Sequence, residues 1–212
     1  MAACCGLAAR WCRSGRDEQA ALQALFDYGP RYERVLRGTS IAFRAPKQAS
    51  ELRVKERHKG NSTTDFGAPG TAPAIDAKAL DPAGLKRSQR VLEACWKSFD
   101  AAVRAAKGKA LRTGPRGGGR NVAKMIEHVI GADEAYLSGL GWQFGRDAEG
   151  TAASKQLGAL RAAMLEGLQA AVDGKIAPVG PRGGRRWAPR YFVRRVAWHV
   201  LDHAWEIEDR LS

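Results

Sequence analysis

The sequence predicts a mainly α protein: an up-down-up-down four-helix bundle, preceded by an N-terminal helix and a small antiparallel β extension. Three observations lead to this prediction. Four segments in the second half of the 212-residue chain repeat apolar residues at the helical period. A Gly/Pro/Ala-rich stretch at 67–82 marks a boundary before them. Upstream of that stretch the pattern changes from helical to alternating. We therefore expect an N-terminal extension at 1–80 and the bundle at 81–212.

The extension is predicted to hold a flexible tail, one helix, short strands and a linker. Residues 17–37 have helical spacing that is interrupted at Gly29 and Pro30. This predicts a kinked helix or two short helices, because proline lacks the N–H that a helix interior needs. Residues 39–66 alternate polar and apolar side chains and end with β-branched and turn residues. That pattern predicts two or three short antiparallel strands.

Four segments of about 20 residues are each predicted to form one helix of the bundle. Each has an apolar stripe at spacings of three and four residues, which is one face of a helix. Asp81 and Pro82 favour a helix start, since aspartate caps the first N–H groups and proline suits the first helical position. The four segments are 82–107, 120–140, 151–173 and 190–212.

Two histidines, His199 and His203, lie four residues apart on the apolar stripe of the last segment. A helix advances about 100° per residue, so both imidazoles lie on one face and point into the bundle. A third histidine, His128, lies on or beside the stripe of the second bundle helix. If those two helices run the same way, all three histidines meet at one level of the core. A shared metal ion is one explanation for them, and a structural cluster of polar side chains is the other.

Three neutral imidazoles suit a divalent metal ion and leave a coordination position open. Zinc is the first expectation, with nickel, iron and manganese as alternatives. Glu206 follows His203 by three residues and is the candidate catalytic residue. It is predicted to be a base acting on bound water, an acceptor that fixes an imidazole tautomer, or a fourth ligand. The segment HVLDH lacks the glutamate of HExxH and carries Asp202 where an inverted HxxEH motif has glutamate, which disfavours a peptidase.

Two near-identical loops, TGPRGGGRN at 113–121 and VGPRGGRRW at 179–187, precede the second and fourth bundle helices. In an up-down-up-down bundle they lie at the same end, above the histidines. Their glycines expose backbone N–H groups and their arginines supply cationic forks, which predicts a clamp for an acidic cofactor or substrate. Two flexible, solvated connections are the alternative. The candidate cofactor-binding residues are Arg116, Arg120, Arg182, Arg185 and Arg186.

Composition narrows the class of partner and the location. The formal net charge is +13 with a pI near 10.1. The arginines are spread over nearly every segment, so nucleic acid is a disfavoured partner but not an excluded one. No apolar stretch reaches the roughly 20 residues of a membrane helix, so no membrane partner is expected. The four cysteines form no CxxC pair, and we expect reduced thiols in a cytoplasmic protein. Aromatic residues near the predicted helix ends leave a homodimer open.

The segments EHVIGADEAYLSGLG and RRVAWHVLDHAWEIEDRL resemble the DinB-like superfamily, and the resemblance covers residues 80–212. It implies a four-helix bundle in which His128, His199 and His203 ligate a divalent metal ion, with water or substrate in the open positions. Characterised members of that superfamily include metal-dependent thiol S-transferases that use bacillithiol or mycothiol, and a mycothiol-dependent maleylpyruvate isomerase. The resemblance implies fold and metal site more firmly than it implies the reaction.

The functional prediction is therefore a metal-dependent enzyme of thiol S-transferase, isomerase or hydrolase type that acts on a small acidic or electrophilic substrate. A low-molecular-weight thiol as a second cofactor is left open. A thiol bound to the metal would be deprotonated and nucleophilic, whereas bound water in the same position would give hydrolysis. The alternative is a non-catalytic basic module that binds nucleic acid or a protein, with the histidines as a structural cluster.

Overall fold

The computed structural model describes residues 2–4, 11–65, 67–114, 119–145 and 152–211. Helices account for most of these residues, and they form a bundle with one small N-terminal sheet. The predicted fold class, mainly α with a small β extension, is therefore confirmed. Within the described part of the chain, no helix is both long enough and apolar enough to cross a membrane.

The bundle helices lie close to where their apolar stripes and capping residues predicted them. Each begins and ends within two residues of its predicted bounds, and the side chain of Asp81 accepts a hydrogen bond from the backbone N–H of Gly84, as expected of a cap. The strands are β1 (Ala2–Cys4) and β2 (Cys12–Ser14), and the helices are α1 (Glu18–Leu36), α2 (Ser62–Asp65), α3 (Pro82–Ala105), α4 (Val122–Leu140), α5 (Ala153–Val172) and α6 (Pro189–Leu211). Two 3-10 turns cover Ala49–Glu51 and Ala74–Ala77.

Helix α1 is a single helix that contains Pro30, so of the two predicted alternatives, a kinked helix or two short helices, the second is wrong. Pro30 lies inside the helix but on its exposed side. Water can hydrogen-bond the carbonyl that loses its partner there, which reduces the cost of the missing N–H. The opposite side is held in the core, where the Trp11 indole donates to the carbonyl of Leu25 at 3.0 Å and its ring lies 4.6 Å from that of Tyr32.

The strands predicted within 39–66 do not form: among the described residues 39–65 the backbone contains a 3-10 turn and helix α2 but no strand. The alternating stretch around Val54 is exposed, so it has no core against which one face could be buried. The small sheet instead pairs β1 with β2 in antiparallel register, Cys4 opposite Cys12. Cys12 is disulfide-bonded, which contradicts the expectation of reduced thiols for that residue, whereas Cys95 is a buried thiol.

The direction of the helices differs from the up-down-up-down order. The backbone N–H of Trp187, just before α6, donates to the carbonyl of Gly139 near the end of α4, at 2.9 Å. At the other end, the Arg210 side chain donates to the carbonyl of Arg120, just before α4. Helices α4 and α6 are therefore antiparallel. Helix α3 runs parallel to α6, because Arg190 donates to the carbonyl of Lys78 at the start of both.

Helix α5 runs in the same direction as α4. A Cβ atom at Gly167 would lie 3.1 Å from the Leu137 side chain, and the earlier residue Arg161 interacts electrostatically with Asp133, one turn before Leu137. Contacts thus advance along both helices together. The bundle is therefore up-down-down-up. Because α4 is inverted relative to the prediction, the two arginine–glycine loops lie at opposite ends of the bundle.

The N-terminal extension packs on the outer side of α6. Arg13 of β2 forms an ion pair with Asp202 at 2.7 Å, and Arg31 of α1 pairs with Glu208 and Asp209 at 2.6 and 2.7 Å. This cover explains why α6 is buried on nearly all sides, although the helices of a bundle usually expose one face. Helix α6 therefore lies in the middle of the molecule, with bundle helices on one side and the extension on the other.

Candidate metal centre

The three histidines meet because α4 and α6 are antiparallel. His128 lies six residues after Val122, the first residue of α4, and His203 lies eight residues before Leu211, the last residue of α6. At 1.5 Å per residue these depths from the shared end differ by only about 3 Å. The prediction that the histidines share one level of the core is therefore confirmed. The parallel arrangement from which it was derived is wrong.

The imidazole nitrogens converge on one point. Nε2 of His199 lies 3.2 Å from Nε2 of His128 and 3.2 Å from Nε2 of His203. One nitrogen from each residue lies within 4.8 Å of the other two. Zinc–nitrogen bonds of about 2.0–2.1 Å in a tetrahedral site separate neighbouring nitrogens by about 3.3 Å. The donor set and its spacing therefore fit a divalent ion held by three imidazoles, with further positions left for other ligands.

The surroundings of the cluster favour neutral imidazoles, which is the form that binds metal. Burial lowers the pKa of His128, with a further contribution from the positive charges of His203 and Arg120. The pKa of His199 is lowered well below its ordinary value, first by burial and then by His203 and His128. Bringing three bases together away from water makes protonation of these two costly. Their nitrogen lone pairs are thus available at neutral pH.

Glu206 orients one of the imidazoles. Its carboxylate lies 3.0 Å from Nδ1 of His203, which assigns the proton to Nδ1 and leaves Nε2 facing the other histidines. Its second oxygen accepts a hydrogen bond from Arg210 at 2.9 Å. The His203 hydrogen bond lowers the pKa of Glu206, and Arg210 lowers it further. Among the predicted roles, this geometry favours the acceptor that fixes a tautomer, because both carboxylate oxygens are engaged away from the point of convergence.

Arg210 connects this arrangement to the loop before α4. Its guanidinium donates to the carbonyls of Arg112 and Arg120 at 2.7 and 2.9 Å. Gly119 packs so closely against it that a Cβ atom would lie 2.6 Å from the guanidinium. Glycine is required here for that approach and for a φ of 147°. The loop, Arg210 and Glu206 thus form a chain of contacts that ends at His203.

The predicted arginine clamp is divided by the fold. Arg120 lies near enough to the histidines for its charge to lower the pKa values of His128 and His199. Arg182 and Arg185 are exposed at the other end of the bundle, and Arg186 donates to the carbonyl of Ala177. Arg116 lies outside the described residues. The premise that both loops lie above the histidines is therefore wrong, because it followed from the up-down-up-down order.

An aromatic and cationic wall, formed by Tyr136, Trp187 and Arg195, lies beside His199. The sequence did not predict this group of side chains. The Tyr136 ring lies 5.6 Å from that of His199 and 5.5 Å from that of Trp187. Arg195, one turn before His199 on α6, lies over the Tyr136 ring at 5.0 Å. Burial raises the pKa of Tyr136, so its hydroxyl is neutral at ordinary pH. The four-residue spacing between Arg195 and His199 was visible in the sequence, but the partner from α4 was not.

These features define a class: a four-helix bundle whose core carries three histidines arranged as metal ligands. The chain belongs to the DinB superfamily, whose family model matches residues 91–207, more than half of its length. All three histidines and Glu206 lie within the matched region. No curated protein and no solved structure matched the chain.

Proposed function

We propose that the protein is a metal-dependent enzyme that binds one divalent metal ion through His128, His199 and His203. The observation that carries this proposal is the convergence of the three Nε2 atoms, with His199 at 3.2 Å from each of the other two. In a purely structural cluster, each Nε2 would share a proton with one partner. Here Nε2 of His199 faces the Nε2 atoms of both other histidines, and a single cation at the point of convergence would satisfy all three lone pairs.

Bound metal would act as a Lewis acid and lower the pKa of a thiol or water held in its open position. The protein's own residues supply the rest. Glu206 holds the proton on Nδ1 of His203, so that Nε2 keeps its lone pair, and Arg210 fixes the carboxylate. Burial keeps water from competing with the histidines. Arg120 and Arg195 give the surroundings a positive potential that attracts an acidic substrate.

Zinc is the metal that we propose first, because three imidazoles with an open position are a common catalytic zinc arrangement. The reaction is proposed at the level of class: transfer or isomerisation that uses a low-molecular-weight thiol, or hydrolysis by bound water. Both reaction classes begin from a deprotonated nucleophile at the open metal position. They differ in whether a thiol or a water molecule occupies that position.

Elemental analysis of the purified full-length protein tests the metal proposal. The matched comparison is His199→Ala against His58→Ala, since His58 is exposed and forms a local pair with Glu56. We expect about one zinc, nickel, iron or manganese ion per chain in the wild type and in His58→Ala, and none in His199→Ala. Equal metal contents in all three proteins, or no metal even after reconstitution, would contradict the proposal.

A further inference from the structure

Arg195 differs from four arginines on the bundle helices and β2 that form ion pairs. Arg13 pairs with Asp202, Arg161 with Asp100, Arg194 with Asp76 and Arg210 with Glu206. Among the described residues, Arg195 has no carboxylate within ion-pair distance. Its partners are instead phenol hydroxyls: Nη2 donates to Tyr136 at 3.3 Å, and the guanidinium also hydrogen-bonds the Tyr191 side chain.

The surroundings of Arg195 are aromatic rather than acidic. Its guanidinium lies 5.0 Å from the centre of the Tyr136 ring, 5.4 Å from Trp198 and 5.8 Å from Trp187. Cation–π contacts stabilise such a charge only modestly and do not replace a counter-ion for a partly desolvated cation. A guanidinium held among aromatic rings without a carboxylate fits an anion supplied from outside the chain.

The position of Arg195 places such an anion near the three histidines. Four residues separate Arg195 from His199, so the two side chains lie on one face of α6, about 6 Å apart along its axis. The Tyr136 ring contacts His199 at 5.6 Å and also supplies the hydroxyl near Arg195. A ligand held at Arg195 therefore reaches the metal position if its two functional groups are separated by a few carbon atoms.

The wall also indicates the shape of the ligand. Trp187 lies 5.5 Å from Tyr136 and 5.0 Å from Tyr191, and all three rings are partly exposed, so this side is accessible from solvent. Aromatic faces favour flat, apolar or unsaturated groups. A single guanidinium fork matches a planar carboxylate, with the Tyr136 hydroxyl as a second donor.

We propose that Arg195 and Tyr136 bind the carboxylate of a small, flat organic acid whose other end reaches the metal held by His128, His199 and His203. The second half of this statement rests on the proposed function, whereas the carboxylate subsite does not need the metal. The subsite thus assigns recognition of an acidic substrate to Arg195, which lies outside both arginine–glycine loops.

Benzoate is a suitable probe, and benzamide is its neutral control of the same shape. Binding is measured by titration calorimetry and by quenching of tryptophan fluorescence, with the full-length protein in metal-free and zinc-loaded forms. We expect benzoate to bind both forms, Arg195→Gln to weaken it at least tenfold, and Tyr136→Phe to weaken it about threefold. Benzamide is expected to bind at least tenfold more weakly than benzoate, and Arg87→Ala, which changes an exposed arginine on α3, is expected to leave affinity unchanged.

The controls separate failure of the subsite from failure of the metal proposal. Arg195-dependent binding to a protein that takes up no metal would support the subsite and contradict the proposed function. Zinc-dependent binding that is insensitive to Arg195→Gln would place the carboxylate on the metal and overturn the subsite. Absence of benzoate binding in both forms would also overturn it. If Arg195→Gln does not fold, Arg195→Lys keeps the charge but lacks the planar fork, and unchanged affinity in that variant and in Tyr136→Phe would contradict the proposal.

Discussion

Helix α6 carries two buried polar clusters that differ in whether their groups are paired with opposite charges. Towards its start, Arg194 forms a two-bond ion pair with Asp76 of the linker, at 2.6 and 2.8 Å, and both side chains are almost fully buried. One turn further on, the histidine cluster brings three bases together, and Nδ1 of His199 is buried without a hydrogen-bond partner. The first cluster has opposite charges in matching geometry, whereas the second has like groups facing one point.

This difference separates a structural polar cluster from a candidate functional one. The Asp76–Arg194 pair supplies its own counter-charge and needs nothing further, so its contribution is to fix the linker against α6. In the histidine cluster, burial and the neighbouring histidines lower the pKa of His199, which keeps that imidazole neutral with its Nε2 facing the other two. Changes to the two clusters should therefore affect different properties.

The largest effect is expected from breaking the ion pair. Arg194→Ala leaves Asp76 buried without its principal partner, which should lower the free energy of unfolding by about 3–5 kcal/mol. Replacing both residues by apolar ones (Asp76→Leu with Arg194→Met) should restore much of that loss. Urea unfolding measures both, and the metal content of the folded protein should stay at the wild-type value. A metal loss as large as that of His199→Ala would remove the distinction between the clusters.

Metal should stabilise the second cluster alone. Zinc added to metal-free protein at one hundred times its dissociation constant should raise the free energy of unfolding by about 2.7 kcal/mol. Thermal unfolding with and without zinc measures the effect in the wild type, in His203→Ala and in His58→Ala. The increase should disappear only in His203→Ala, and an equal increase in all three would point to nonspecific binding.

Glu206 tests whether orientation of His203 matters to the site. Glu206→Gln keeps the size of the side chain but removes the charged acceptor for Nδ1, which should weaken zinc binding about 10–100-fold. Glu166→Gln, an exposed change on α5, is the matched control and should have no effect. Competition with a chelator of known affinity gives both constants. Unchanged affinity in Glu206→Gln would make the residue a surface partner of Arg210.

Asp133 extends the comparison to a buried acid without an ion-pair or hydrogen-bond partner in the described part of the chain. Neither carboxyl oxygen is hydrogen-bonded there, and burial raises its pKa to about 8. The folded state therefore keeps a proton that the unfolded chain releases near pH 4, so stability contributed by the protonated form falls as pH rises towards 8. Asp133→Asn should flatten that slope and raise the free energy of unfolding at pH 8 by about 1–2 kcal/mol. Denaturant titrations from pH 5 to 8 measure this dependence of the free energy of unfolding on pH, with the exposed change Asp65→Asn as control. If Asp133→Asn leaves the dependence unchanged, Asp133 is ionised in the folded protein and the prediction is wrong.

Local features of the fold were predictable from the sequence, and relations between distant segments were not. Helix bounds follow from apolar stripes and caps such as Asp81, because both act within a few residues. The direction of α5 was not predictable in this way, because an apolar stripe can pack against the bundle in either direction of the helix. Strands failed at 39–65 because alternation alone does not show whether a core lies beneath one face.

In the candidate site, too, local relations were predictable from the sequence and relations between distant segments were not. His199 and His203 were identified because a four-residue spacing fixes one helix face, and Glu206 because it follows one turn later. The pair Asp76–Arg194 spans 118 residues of sequence, and no local pattern connects its members. Arg195 was missed for a related reason, since its significance lies in the Tyr136 hydroxyl from α4 and in the lack of a carboxylate among its described neighbours.

X-ray absorption at the zinc edge, measured on stoichiometrically loaded full-length protein, identifies the atoms that bind the metal. We expect three imidazole nitrogens at about 2.0–2.1 Å and one or two further light-atom ligands, with one imidazole lost in His128→Ala. A first shell that contains sulfur, or one with fewer than three imidazoles in the wild type, would contradict the assignment of His128, His199 and His203 as the metal ligands.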